Sequence, residues 1–271
     1  MTQPCPAGDL EHTLIRIVPG RRFALAFSGG MDSRFLAFMA RRFGFEPVLF
    51  HASGPHVPPE ETEYARLWAS THALYLHELR LNPLTLPLVS TGDRQRCYAC
   101  KRFLFSTLRG QTDLPLCDGS NASDEGQHRP GLKALAELGI LSPLRMAGLD
   151  KTAIRQTARQ TGLEQPDQPA RPCLLTRLAY GLRPEKEILA RLAGAESAVR
   201  AVLKDSSGEC PDFRLRLLTL HRVELHLLCR DRDRLDSRAQ SLLMRQLSHF
   251  FPEVESGLRG LDTLSGFFDR A

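Results

Sequence analysis

No apolar run in this chain approaches the roughly 18 residues that a membrane-spanning helix needs, so no membrane partner is expected. The opening stretch, MTQPCPAGDLEHTL, carries acids and lacks the basic segment and apolar core of a secretory signal, which makes a cytoplasmic protein the expectation. There is no internal repeat and no low-complexity tract. A large charge excess is also missing: 36 Lys and Arg against 31 Asp and Glu leave a net charge of +5. That balance suits an anionic small ligand as well as nucleic acid and does not choose between them. The cysteines do not come in an even set. There are seven, Cys5, Cys97, Cys100, Cys117, Cys173, Cys210 and Cys229. An odd count in a reducing compartment argues against a disulfide framework and leaves metal binding or thiol chemistry for any clustered pair.

What is present is an ordinary globular composition over 271 residues, 42% hydrophobic and 25% charged. It excludes a disordered chain, a collagen and a coiled-coil rod. The length sits near two domains at roughly 150 residues each and supports a core without staples. Apolar runs alternate with amphipathic stretches in the first half, the pattern of an α/β fold with a parallel sheet. The pattern predicts strands over 23–27, 47–50, 73–81 and 114–117. It predicts helices over 33–43, 60–72, 97–109, 129–138 and 151–161, with a polar loop over 118–127. Residues 165–172, QPDQPARP, hold three prolines and read as a linker. Beyond them the spacing predicts a helix over 184–203, a hairpin of strands 213–218 and 223–228, a helix over 235–251 and a last strand within 258–268. The division is therefore a parallel-sheet domain, 1–168, and a smaller α+β domain, 169–271.

The strongest local signal is Ser28-Gly29-Gly30-Met31-Asp32-Ser33, directly after a buried strand and before a helix. Glycines permit the tight turn and expose backbone N–H groups, and the helix offers its positive end to an anion. The hydroxyls of Ser28 and Ser33 add donors, and Asp32 is suited to a Mg²⁺ ion bridging phosphate oxygens. No Lys follows the glycines, so this is not the loop that holds a γ-phosphate. SGGxDS in this setting resembles the pyrophosphatase loop of the N-type ATP pyrophosphatases. The resemblance implies an adenine-nucleotide alpha-hydrolase-like (PP-loop, or HUP) domain that binds ATP and adenylates a substrate oxygen with loss of pyrophosphate.

Three further clusters carry chemistry. Arg96-Cys97-Tyr98-Ala99-Cys100-Lys101 places two cysteines three apart beside two cations, suited to a shared metal or cluster and to thiolate. Cys173 stands where the linker ends, with Arg177 four residues on, placed to lower its pKa or hold a phosphate. Asp118-Gly119-Ser120-Asn121-Ala122-Ser123-Asp124 follows a short strand at the sheet edge where parallel α/β folds bind ligands. There Asp124 is a second Mg²⁺ candidate and Asn121 a nucleotide or loop contact. Arg214 and Arg216 alternate on one face of a strand, where an anionic partner would relieve their repulsion.

Together these segments resemble the ATP-dependent sacrificial sulfur transferase (LarE) family. The matching pieces, in the family's order, are SGGMDS at 28–33, RCYACK at 96–101, DGSNASD at 118–124, RPGLKAL at 129–135, SPLRMAGLDKTAIR at 142–155, PARPCLLTRLAYG at 169–181 and FRLR at 213–216. The family's CLASRxPYG stands here as CLLTRLAYG, with Thr176 for Ser and Ala179 for Pro, and Leu217-Leu218-Thr219 replaces the usual His and Gly turn. The resemblance implies adenylation of a carboxylate of pyridinium-3,5-biscarboxylic acid mononucleotide, a precursor of the nickel-pincer nucleotide, and sulfur transfer to give a thiocarboxylate. It implies ATP bound by Ser28, Gly29, Gly30, Asp32, Ser33, Asn121 and Asp124, with Mg²⁺ at Asp32. It implies Cys173, Lys101 and Arg177 as catalytic residues, and Arg177, Arg214 and Arg216 on the substrate phosphate. Members with the extra CxxC bind a [4Fe–4S] cluster through three cysteines, here Cys97, Cys100 and Cys173. Members without it use the equivalent of Cys173 as a sacrificial donor. A homo-oligomer is also implied. A PP-loop tRNA thiolase is the competing reading; the modest charge and the absence of an added RNA-binding module oppose it.

Overall fold

The computed structural model describes residues 6–124, 130–204 and 210–270. Cys5, Arg129 and the end of the polar loop, 125–127, lie outside the described residues. In chain order the elements are α1 (Pro6–Ile17), β1 (Arg22–Ala26), α2 (Met31–Arg42), β2 (Glu46–Ser53), α3 (Pro59–Thr71) and β3 (Leu76–Arg80). Next come α4 (Pro87–Ser90), α5 (Arg96–Arg109), β4 (Leu116–Cys117), α6 (Pro130–Glu137), α7 (Pro143–Met146) and α8 (Lys151–Thr161). Last are α9 (Lys186–Leu203), β5 (Phe213–Thr219), β6 (Arg222–Leu228), α10 (Cys229–Arg232), α11 (Ser237–Phe250) and β7 (Glu255–Leu261). The chain packs into two compact units. The first takes the residues up to Gly54, Pro59–Pro83 and Cys97–Arg171; the second takes Pro55–Pro58, Leu84–Arg96 and the residues from Pro172 onward.

The first unit is built on a four-stranded sheet in the order β3-β2-β1-β4, every pairing parallel. Its central strand, RFALA, is apolar on both faces because helices cover both. Phe23, Leu25 and Phe27 point to one side and pack with Leu10 and Leu14 of α1, Leu36 of α2, Trp68 of α3 and Ile154 of α8. Ala24 points to the other and packs with Phe105 and Leu108 of α5 and Leu135 of α6. The helix α1 was not in the sequence reading, although Leu10 and Leu14 carry its i, i+4 signal. From β1 the chain moves outward through β2 to β3, then returns to add β4 on the other flank of β1. The direction of winding reverses between β1 and β4, and open α/β sheets bind ligands at such a point, beyond the carboxyl ends of the strands.

The second unit holds a three-stranded sheet, β5-β6-β7, antiparallel between β5 and β6 and parallel between β6 and β7. Phe213, Leu215 and Leu217 alternate with Arg214 and Arg216 along β5. Val223, Leu225 and Leu227 alternate with Glu224 and His226 along β6. Both sets are buried, so the polar face is covered rather than solvated. The helix α11 starts at an Asp236 cap that accepts from the Ala239 N–H at 2.7 Å.

Candidate functional site

The loop after β1 and the loop after β4 meet at the switch point. Gly29 adopts φ +74°, a left-handed conformation that an L side chain resists, and an added Cβ would lie 3.4 Å from the Ala65 Cβ. Gly30 caps α2 without a side-chain hydrogen bond. The N–H groups of the first turn are thereby left to an external anion. The Ser28 Oγ accepts from the Gly30 N–H at 3.2 Å, and the Ser33 hydroxyl donates to the Gly30 carbonyl at 3.0 Å. With that proton committed, the Ser28 hydroxyl is the donor across the 3.2 Å between the two Oγ atoms.

Asn121, fully buried, ties the second loop to the first. Its Nδ2 donates to the Asp32 Oδ2 at 3.0 Å, its Oδ1 accepts from the Ser123 N–H at 3.0 Å, and its own N–H donates to the Asp124 Oδ2 at 3.3 Å. Behind it the Ser142 hydroxyl donates to Asp118 at 2.7 Å, and the Ser120 hydroxyl donates to the other oxygen of that carboxylate. Burial pushes the Asp32 carboxyl above the usual carboxylate range and Asp124 adds to the push, while Lys151, Asn121 and Arg155 work against it. Two carboxylates that oppose each other's ionisation are a fit for a hard divalent cation. Lys151 and Arg155 were not singled out in the sequence. Their signal was the i, i+4 spacing on α8 within the matched SPLRMAGLDKTAIR stretch.

Gly119 is the point of closest approach. A Cβ there would lie 3.0 Å from the Ser33 nitrogen and 3.3 Å from the Asp32 carbonyl carbon, both backbone atoms that cannot swing away. Gly119→Ala is expected to lower the unfolding free energy by about 1–3 kcal/mol, because those backbone atoms cannot yield to the added methyl group. Urea denaturation of the variant beside the wild type checks this.

His51, at the end of β2, supports the loop from beneath. Its Nδ1–H donates to the Phe27 carbonyl at 2.9 Å, so its Nε2 accepts from the Thr62 hydroxyl at 3.0 Å. Burial holds its pKa below the ordinary value, and the same cause lowers His226 in the second unit. Both are neutral in the native state, whereas the unfolded chain protonates them near pH 6.5. Their contribution to stability is complete above about pH 6.5 and is lost as the pH falls from there toward the folded pKa values, by up to about 1.4 kcal/mol per pH unit for each. Urea denaturation at stepped pH between 7 and 5 reads that slope.

The first-unit cysteines, Cys97 and Cys100, lie one turn apart on the same face of α5, the former half-buried and the latter buried. The Lys101 stem runs over Gly131, where a Cβ would meet its Cδ at 2.5 Å. The Arg96 guanidinium donates to the carbonyls of Leu178 and Ala179 at 2.5 and 3.2 Å, and lies 4.6 Å from the Tyr180 ring. In the second unit, Cys173 is half-buried at the start of a 3-10 turn, Leu174–Arg177. Its carbonyl accepts from the Thr176 N–H and hydroxyl, and the next N–H, of Leu174, donates to the His56 carbonyl at 2.9 Å. None of the described cysteines is in a disulfide. Among the described residues, neither unit by itself assembles three His, Cys, Asp or Glu side chains around a metal position.

The three arginines of the second unit cluster, yet they are held differently. Arg177 Nε and Nη2 donate to the two oxygens of Glu196 at 2.5 and 3.1 Å, both residues buried, and Glu196 Oε1 also accepts from the Leu215 N–H at 3.2 Å. Arg214 donates to Asp212 and to the Phe213 carbonyl. Arg216 donates to His226 Nδ1 at 2.9 Å and to the Leu264 carbonyl, with the Phe267 ring 4.6 Å from its guanidinium carbon. Burial, then Arg214, Arg177 and Arg270, push its pKa down to about 10. Sequence reasoning missed Glu196, Glu224 and His226. The alternation of VELHL opposite RLRL was the signal for the last two: Arg214 pairs with His226 in the strand register, and Arg216 with Glu224.

An α/β unit with a glycine loop at its switch point is the class of a nucleotide-binding domain, and the architecture is consistent with one. No family model matches the chain. It is 34% identical over 187 residues to the uncharacterized protein slr1717 of Synechocystis, spanning 66% of this chain and 69% of that protein. The chain belongs to the same protein family as slr1717. It is 25% identical over 202 residues to the uncharacterized protein MJ0830 of Methanocaldococcus jannaschii, covering 72% of this chain and 76% of the relative. It is also 27% identical over 188 residues to the pyridinium-3,5-bisthiocarboxylic acid mononucleotide synthase of Lactiplantibacillus plantarum, covering 67% of this chain and 68% of the synthase.

Proposed function

We propose that this chain is an AMP-forming, ATP-dependent sulfurtransferase of the LarE family, a cytoplasmic homo-oligomer that makes a thiocarboxylate on a pyridinium mononucleotide. The observation that carries the nucleotide half is the Asn121–Asp32 hydrogen bond, which joins the two loops at the switch point beside the uncapped start of α2. The similarity to the L. plantarum synthase supports the substrate half.

In this reading residues 1–168 are the PP-loop pyrophosphatase domain and 169–271 bind substrate and support the oligomer. ATP lies over Ser28, Gly29, Gly30 and Ser33, with Asp32 and Asp124 holding Mg²⁺. A carboxylate oxygen of the substrate attacks the α-phosphorus of ATP, and pyrophosphate leaves with its electron pair. The product is an acyl adenylate. Lys101 and Arg177 offset charge on the reacting groups. A sulfur nucleophile then attacks the acyl carbon, AMP leaves, and the thiocarboxylate forms. Cys97, Cys100 and Cys173 are assigned as ligands of a [4Fe–4S] cluster; the one-turn spacing of the first two on α5 fits two thiolate ligands to one cluster. Such a cluster supplies an open iron site for a transferable sulfide. Where no cluster is loaded, Cys173 itself is the sulfur donor, and β-elimination leaves dehydroalanine at that position.

The test is AMP and pyrophosphate release with ATP, Mg²⁺ and the biscarboxylated pyridinium mononucleotide. Release is expected only when the carboxylate substrate is present. Asp32→Asn is expected to reduce it by about 100-fold or more, the scale of a lost electrostatic contact to the reacting centre. Substrate-independent AMP release, or a fully active Asp32→Asn variant, would overturn the reading.

A further inference from the structure

A buried position on an amphipathic helix calls for an apolar side chain, yet α2 carries Arg34 there, with none of its surface exposed. Burying a guanidinium is strongly unfavourable unless its N–H groups find acceptors. Every oxygen that Arg34 donates to lies on residues 164–168. Its Nη1 donates to the Glu164 carbonyl at 2.8 Å, and its Nη2 donates to the Gln165 carbonyl at 3.3 Å and to Gln168 Oε1 at 2.5 Å. The Glu164 carboxylate, 3.8 Å from Nη1, supplies the opposite charge. In the sequence 165–172 read as a linker. In the structure 164–171 form a strap laid against α2 and α3 of the first unit. Tyr64 of α3 donates to Gln165 Oε1 at 3.2 Å, with its ring 5.4 Å from the Arg34 guanidinium carbon. At the far end of the strap Arg171 donates to Oε1 of the buried Glu61 at 2.8 Å.

The strap is held in a shape it would not take alone. Gln165 has φ +50°, a left-handed conformation that a side chain resists and that the following Pro166 restricts further. Such a residue persists only where its surroundings over-determine it. Arg34 also faces the phosphate loop. Its own N–H donates to the Gly30 carbonyl at 3.0 Å, which closes the first turn of α2, the turn that carries Asp32 and Ser33. The Tyr64 ring does the same from α3, since a Cβ on Gly29 would meet its Cδ1 at 3.5 Å. Only Pro172 stands between Arg171 and Cys173, and two peptide steps reach at most about 7.6 Å. One residue thus belongs both to the turn assigned to ATP and to the anchor of the segment that runs to Cys173.

We propose that Arg34 is a positioning residue for the sulfur step: it pins the strap 164–171 to the first turn of α2, so that the segment leading to Cys173 leaves the first unit from a point set by the nucleotide loop. This deepens the sulfurtransferase reading, on which the role of Cys173 rests; the anchoring of the strap by Arg34 stands without it. Arg34 is buried and acts through the strap, not on the reacting atoms. Sulfur transfer needs the attacking atom within about 3–3.5 Å of the acyl carbon, and a misplacement of about 1 Å costs on the order of 100-fold. Adenylation draws on groups held by their own hydrogen bonds within the first unit and does not need the strap.

The experiment compares the wild type with Arg34→Met and Gln168→Leu, each as the whole chain. Hydrogen exchange read by mass spectrometry follows the strap, and AMP and thiocarboxylate are quantified in one reaction. The Gln168 N–H, which donates to the Gln165 carbonyl at 3.1 Å, reports on the strap. Arg34→Met is expected to speed its exchange about tenfold, the mark of a local opening made easier. The same variant is expected to keep AMP release within about threefold of the wild type and to lower the thiocarboxylate formed per AMP about tenfold. Gln168→Leu removes an acceptor from the strap without touching α2, and is expected to give the same split at about threefold. It also carries the test should Arg34→Met fail to fold. A merely structural role would lower both products together and leave their ratio unchanged. Wild-type exchange of the strap in both variants, an equal fall of AMP and thiocarboxylate, or a wild-type ratio despite faster exchange would overturn the proposal. A wild type that releases no AMP with its carboxylate substrate would instead sink the sulfurtransferase reading, and the exchange difference alone would then decide whether Arg34 anchors the strap.

Discussion

Protein carrying Cys173→Ala is expected to release AMP and pyrophosphate at close to the wild-type rate in the first turnover and to form no thiocarboxylate. The groups assigned to adenylation, Ser28 to Ser33 with Asn121 and Asp124, belong to the first unit and are held by their own hydrogen bonds. Cys173 belongs to the second. Its backbone is fixed independently of its thiol: its carbonyl accepts from Thr176, and the Leu174 N–H is bound to the His56 carbonyl. Truncating a half-buried side chain on such a turn removes little packing, so the fold should survive and only the sulfur chemistry should stop. Mass spectrometry of the nucleotide product, with AMP quantified in the same reaction, separates the two steps. A normal yield of thiocarboxylate from the variant would remove Cys173 from the mechanism. In the wild type the mass of the chain after turnover distinguishes the sulfur sources: loss of one H₂S at residue 173 marks the sacrificial route, and an unchanged chain mass marks delivery from a cluster. Iron and acid-labile sulfide content of protein purified without air is the companion measurement, expected to drop when Cys97 or Cys100 is replaced by Ser.

The largest effect on stability is expected at a residue with no assigned role in the reaction. Glu196→Gln should lower the unfolding free energy by about 3–5 kcal/mol, the cost of removing one partner from a buried ion pair. Glu196 holds both Arg177 Nε and Nη2 and also the Leu215 N–H, and both members of the pair are buried. Without its charge, Arg177 is left desolvated beside Arg214 and Arg216, whose charges already disfavour one another. The double variant Glu196→Gln with Arg177→Met should recover most of the loss, because buried pairs replaced together by apolar volume are often neutral or better. A urea-denaturation double-mutant cycle measures both. A loss under about 1 kcal/mol for Glu196→Gln would mean that water reaches the pair and screens it, as at an exposed salt bridge.

The loop after β1 was readable because its chemistry is local. Three consecutive positions, Ser28, Gly29 and Gly30, fall between an apolar five-residue strand and an amphipathic helix, and that order alone requires a turn presenting backbone donors. The DGSNASD stretch was readable only as a polar loop after a short strand. Its partner became clear with the sheet order, since β4 sits beside β1 although Leu116 stands 92 positions after its partner Ala24 (116 less 24). Asn121 meets Asp32 for that reason, and no local pattern announces it. The same holds for Lys151 and Arg155, whose charge acts on Asp32 from a helix late in the first unit. The Arg96 side chain shows the opposite outcome. It stands next to Cys97 in the chain and reads as a partner for the thiol, yet its guanidinium is committed to two backbone carbonyls at 178 and 179.

By itself the sequence determined most of the longer elements after α1, their order and the glycine loop, because helix and strand periodicity and turn chemistry are set within a few residues. It also carried the likeness to a sulfurtransferase family in motifs that are contiguous. Only the tertiary structure decided which charges are cancelled. Arg177, Arg214 and Arg216 are indistinguishable as letters. Their difference lies in what the fold sets beside each: a glutamate from α9, an aspartate just before β5, and a neutral histidine from β6. Ion pairing and desolvation act through space over a few ångströms, and chain distance says almost nothing about which side chains will be that close.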